Sequence, residues 1–197
     1  MRTTRTLLST FIGAGVAGLI ALASPLVYAD TLSDVAGRYK IQPSSQVGFT
    51  VSQVGGGGIT GNFKKFSGVF SLNNGDISRS VIDFTLYPES VWTGQARVET
   101  FLRSDAVFDA ANYPTITFKS TQITQTSANT AEIAGVLTAR GKSSPASFQA
   151  NLADHGKNTI TFRVQGKVMR SRYGMDVGTP LYSNVVQFDM IIRGQRS

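Results

Sequence analysis

The sequence predicts an all-β domain of about eight short antiparallel strands, arranged as a sandwich or a barrel behind an N-terminal leader. Three observations carry this. From Tyr39 onward, apolar residues recur with period 2 in one segment after another. Signals rich in Gly, Asn and Asp, such as Asn73-Asn74-Gly75-Asp76, separate those segments. The chain has no cysteine, so no disulfide staples an exported fold and a core must hold it.

Met1 to Ala29 reads as a secretory signal peptide. Arg2 and Arg5 form a basic start, Leu7 to Leu22 is apolar, and Val27-Tyr28-Ala29 fits the small-residue cleavage rule. An uncleaved anchor is the rival reading, but Gly13, Gly15, Gly18 and Pro25 suit a cleaved signal better. Cleavage would leave 168 of the 197 residues, enough for one domain with a buried core. It would lower the formal charge by two, from +7 to +5, as Arg2 and Arg5 leave. The basic residues are dispersed, which fits solvated charge and leaves transient contact with an anionic membrane surface open. Nucleic acid is not expected, since no Arg/Lys run is interleaved with aromatics. Asp30 to Gly37 reads as a linker.

In chain order, Val47, Phe49 and Val51 alternate with Gly48, Thr50 and Ser52, and Gly55 to Gly58 reads as a flexible hairpin loop. Phe63, Phe66 and Phe70 do not share one parity, which predicts a bulge near Lys64-Lys65 or Gly68. Ile82, Phe84 and Leu86 share a strand face. Val91, Trp92, Val98, Phe101 and Leu102 break the alternation and suit a short helical cap around residues 89–112. Pro114 ends that segment and delivers the chain into a strand with Ile116 and Phe118 on one side. Ala131 to Ala139, Ala146 to Leu152, Thr159 to Val168 and Val185 to Ile192 complete the strands. Turns are expected at Thr126–Thr130, Gly141–Pro145 and Asp154–Asn158, and an irregular stretch over Met169–Ser183.

Catalytic signals are sparse. His155 is the one histidine, and no HxH or HExxH spacing surrounds it, so a metal site is not expected. No G-x-S-x-G elbow is present. Glu99 with Asp105, or Asp105 with Asp109, could form an acid/base pair, but helix caps and solvated faces explain them better. No enzyme and no cofactor are expected.

Three segments carry a resemblance. LRS-x-x-x-F-x-x-x-x-YP-x-ITF at Leu102 to Phe118, G-x-LT-x-x-G-x-x-x-P at Gly135 to Pro145, and YKIQPSSQVGFTV at Tyr39 to Val51 resemble the YceI-like family of periplasmic lipid-binding proteins. The resemblance spans roughly Tyr39 to Arg193. It implies a single antiparallel eight-stranded lipocalin-like β-barrel over residues 30–197, holding a long isoprenoid-type or similar amphiphilic lipid in the periplasm. Carried over by position, Phe49, Phe84, Leu86, Phe118, Phe162, Phe188 and Met190 would line the ligand. Trp92, Phe101, Leu102 and Phe108 would cap it, and Arg103, Arg172 and Tyr173 would offer polar contacts. Family members often carry histidines where this chain has Gln53 and Phe101, so the polar end of its pocket differs. Two other readings stay open: a non-catalytic structural or interaction domain of the cell envelope with a filled core, and a hydrolase. A homodimer is also left open. A membrane-spanning barrel is disfavoured, because Lys64-Lys65, Arg79, Asp83, Lys119, Arg163 and Lys167 mark polar strand faces.

Overall fold

The computed structural model describes residues 31–197; the expected signal peptide lies outside the described residues. Eleven strand segments form one sheet. They are β1 (Gly37–Ile41), β2 (Gln46–Gln53), β3 (Gly58–Phe63), β4 (Phe66–Leu72), β5 (Val81–Leu86) and β6 (Val91–Trp92). After the single α-helix of the described residues, α1 (Ala96–Arg103), come β7 (Ile116–Ser127), β8 (Thr130–Ala139), β9 (Lys142–His155), β10 (Thr159–Met169) and β11 (Tyr182–Arg196).

The first six segments are halves of three long strands. β1 pairs with β4 while β2 pairs with β3, and β4 pairs with β5 while β3 pairs with β6. Three composite strands and five continuous ones make eight staves, each antiparallel to its sequence neighbour. β11 closes the barrel by pairing with β1 at Gly194–Arg196 and with β2 from Tyr182 to Ile191. Closure satisfies most of the ladder groups that an open sheet would expose at its edges, β6 keeping one edge without a strand partner among the described residues.

The three interruptions have local causes. Pro43 lacks an N–H, and the chain turns there with the Ser45 amide donating to the Gln42 carbonyl. Pro88 opens a 3₁₀ turn over Pro88–Ser90. Lys64-Lys65 takes the offset expected from the phenylalanine parity: Lys64 N–H donates to the Ser90 carbonyl and Lys65 N–H to the Ser90 hydroxyl. The same parity puts Phe63, Phe70 and Leu72 inside.

Two expectations about connections need correcting. Pro145 is not in a turn: it lies within β9, opposite Val136. The turn is Arg140-Gly141, with φ of 48° and 68°, the paired left-handed geometry of a tight hairpin. Residues 31–36, expected as linker, close one end of the barrel. Leu32 and Val35 are buried there, the Leu32 amide donates to the Ala128 carbonyl, and the Tyr39 hydroxyl donates to the Val35 carbonyl. This closed end also holds the 3₁₀ turn Ile77–Arg79 and the β9–β10 turn. The opposite end carries the β2–β3 hairpin tip and two excursions, residues 93–115 and 170–181. No helix of the described residues is long and apolar enough to cross a membrane.

Candidate functional site: a hollow apolar lumen

The inward faces of the staves do not meet. They enclose a cavity of about 610 Å³ that runs from Leu32, Leu72 and Ile77 at the closed end to Thr60, Gln95, Arg97 and Val177 at the other. That volume falls within the roughly 300–1,000 Å³ of small-molecule sites. Its wall is almost wholly apolar; among the described residues, Arg97 and Arg170 are the only charged ones on it and no carboxylate lines it.

The wall stays hollow despite its phenylalanines because several rings lie over glycines of nearby strands. A Cβ on Gly61 would stand 2.8 Å from the Phe49 ring, on Gly135 2.5 Å from Phe118, on Gly166 2.3 Å from Phe148, and on Gly194 2.6 Å from Phe70. Each ring therefore occupies space that a side chain would otherwise take, and rests against the barrel wall. The rings also contact one another: Phe118 with Phe148 at 5.1 Å and Phe148 with Phe188 at 6.1 Å, both edge-on, as is Phe70 with Phe162 at 6.0 Å.

Phe49, Phe84, Leu86, Phe118, Phe162, Phe188 and Met190, proposed from the sequence, all line the cavity, as do Phe101, Leu102, Phe108 and Tyr173 near its upper end. Three residues named with them do not. Trp92 is on the outside of β6, half-exposed, with the Lys64 ammonium 4.4 Å over its ring. Strand parity is the cause, since Val91 takes the buried position. Arg103 points away from the lumen: its guanidinium donates to the carbonyls of Glu89 (2.9 Å) and Val91 (3.1 Å) and pairs with Glu99 at 3.6 Å. Arg172 reaches outward to the Ser144 hydroxyl and the Pro145 carbonyl, both at 3.4 Å. The Tyr173 hydroxyl is buried with no hydrogen-bond partner in good geometry. Burial pushes its pKa up, partly offset by the nearby Ser144 hydroxyl and Arg172.

The sequence reading missed other wall residues, including Leu32, Val51, Ile59, Phe63, Val168 and Met175. Strand parity could have found Val51 and Val168. Arg170 carried no sequence signal. It is buried at the end of β10 and donates to the carbonyls of Ser183, Met175, Val177 and Tyr182. Desolvation lowers its pKa, with Asp176 opposing, yet a guanidinium stays charged. It pins the upper excursion over the lumen.

Two residues weighed for catalysis, His155 and Glu99, lie at opposite ends of the barrel. His155 ends β9 at the closed end, near Asp34. Glu99 lies at the opposite end, where its carboxylate accepts from the Thr93 and Gly94 amides at 2.8 and 3.0 Å. Those amide bonds, Thr93 first, hold its pKa below the usual carboxylate value. Among the described residues, no group of three or more His, Cys, Asp or Glu is placed to hold a metal ion.

An eight-stranded up-and-down barrel with a hollow apolar lumen belongs to the lipocalin-type barrels, which can hold one ligand. More specifically, the chain belongs to the YceI-like family: the model of the YceI-like domain matches residues 39–193. A UPF0312 protein of Pseudomonas putida is 32% identical over 127 residues, a match covering 63% of this chain and 66% of that protein. The chain thus spans slightly less than two thirds of that relative's length. Among solved structures, Burkholderia cenocepacia BcnA superposes with a TM-score of 0.72 at 24% identity, covering 78% of this chain and 98% of that one. A polyisoprenoid binding domain from Saccharophagus degradans gives 0.66 at 17% identity, covering 81% and 98%. At these identities the two structures share the fold.

Proposed function

We propose that this protein is a non-catalytic carrier that holds a long-chain isoprenoid-type or similar amphiphilic lipid inside its barrel, in the periplasm. The observation that carries the reading is the lumen itself: about 610 Å³ with no carboxylate and almost no polar lining among the described residues. Such a wall suits a hydrocarbon tail, where burial of each methylene contributes about 0.8 kcal/mol and needs no directional partner. The name of the Saccharophagus degradans domain, polyisoprenoid binding, supports the same ligand class. The signal-like stretch Met1 to Ala29 supports export.

Native mass spectrometry of protein purified from its own host tests this. The expected result is a mass excess that organic extraction removes and that fragments as a prenyl or other long-chain lipid. Protein that is uniformly unliganded, and that never takes up a fluorescent long-chain lipid, would overturn the reading.

A further inference from the structure

We propose that the rim of the lumen is a membrane-docking surface that seats the open end of the barrel on an anionic lipid bilayer; this rests on the carrier reading, because a bilayer is where such a ligand is collected or left. Loop tips distant in sequence converge on this rim. Val54 on the β2–β3 hairpin is 71% exposed, Leu181 51%, Phe101 45% and Val177 41%. The first two tips are tied together, since the Val54 amide donates to the Leu181 carbonyl at 2.9 Å. Phe101 and Val177 also line the lumen. The apolar surface is therefore continuous from the outside of the rim to the inside of the barrel. A tail passing from a bilayer into the lumen along it need not cross water.

Charge and placement favour a bilayer over a protein partner. Trp92 stands just outside the rim with Lys64 over its ring, and Arg97 sits at the mouth. Neither Lys64 nor Arg97 forms a salt bridge among the described residues. Exposed aliphatic tips, an aromatic at the edge and cations without a carboxylate partner behind them match the layering of an acyl region, an interface and anionic headgroups. The next three glycines after Val54, Gly55 to Gly57, have no atom within 4 Å of an added Cβ, so the tip projects freely. The closed end presents no such set: Leu32 and Val35 are buried there, and the other exposed valines, Val69, Val81 and Val136, lie on strands of the barrel flank.

Trp92 is the one tryptophan of the chain and adjoins the rim, so it reports docking directly. The purified protein is mixed with vesicles of phosphatidylcholine or of an equimolar phosphatidylcholine/phosphatidylglycerol mixture. Emission and co-sedimentation are read. The expected result is a blue shift and sedimentation with the anionic vesicles, both weakened by salt. Val54→Asp/Leu181→Asp should bind at least about tenfold more weakly. Val136→Asp on the barrel flank should bind as the parent does. Thermal melting checks that each variant is folded. Absence of parent binding, equal binding to both vesicle types, or undiminished binding by the folded rim variant would each overturn the proposal. Uptake of a soluble fluorescent fatty-acid analogue without vesicles separates the two readings. Uptake without docking sinks this proposal alone, whereas loss of uptake sinks the carrier reading.

Discussion

Phe148 shows how a residue that ordinarily fills a core can instead line a hollow one. Its ring rests over Gly166 of the adjacent strand, where an added Cβ would lie 2.3 Å from ring Cδ1 and 3.0 Å from the Ser147 carbonyl oxygen. Gly166→Ala should drive the ring into the lumen, the only side with free space. Lipid uptake should fall while the melting temperature drops modestly, and a titration with fluorescent lipid beside a thermal melt would show it. Phe162 tests the same point from the opposite direction. In a solid core Phe→Ala costs about 3–5 kcal/mol, because it opens a new cavity. Here the ring already borders empty space, so the loss should approach its transfer energy alone, about 1.5–3 kcal/mol by denaturant unfolding. Leu86→Trp should fill the lumen and block uptake with little loss of stability; heavy destabilisation would instead mark a packed interior. The inward-facing phenylalanines were legible in the sequence, because period 2 is a local signal. Their glycine partners were not, because that pairing depends on the register between strands. Trp92 was misplaced for a related reason: a two-residue strand has too few positions to reveal its parity.

Among the elements, the segment around α1 is where sequence motif and structural role meet. Leu102 is buried under the helix, and the neighbouring Arg103 bonds the carbonyls of Glu89 and Val91. Among the described residues, the only strand paired with β6 is β3. The guanidinium thus serves an edge that has no second strand beside it. Arg103→Lys keeps the charge but cannot reproduce the forked geometry, so it should loosen the cap. Faster hydrogen exchange at residues 96–103, with β8–β10 unchanged, would report that. Glu99 holds the start of the same segment through the Thr93 and Gly94 amides, which depress its pKa in the folded state. A depressed carboxylate stabilises fully above its unfolded value, and that contribution is lost as pH falls through the folded value. Trp92 emission should therefore change on acidification through the lower carboxylate range, and Glu99→Gln should abolish that step. The helical cap was readable from the spacing of Val98, Phe101 and Leu102. The role of Arg103 was not, since its partners are backbone atoms upstream in the sequence. The plug formed by Leu32 and Val35 was missed because two apolar residues in six carry no period.

For the molecule as a whole, closure and interruption have to be considered together. Circular dichroism should show mostly strand, with a minor helical contribution from α1. The breaks at residues 42–45, 64–65 and 87–90 oppose one another in register, so they form one crease across three adjacent staves. Below the crease, β5 pairs with β7 at Asp83 to Leu86 and the ring is complete. Above it, no ladder joins β6 to β7, and α1 with Leu102, Val107 and Phe108 covers the gap. The barrel is thus a continuous hoop carrying a slit whose cover is held by side chains. The two parts should move on separate clocks: amides of the hoop exchange only with global unfolding, whereas those of β6 and α1 exchange through local opening. On the carrier reading, a tail crossing the rim needs that cover to yield, so its residence time should follow the opening rate more closely than the length of tail enclosed.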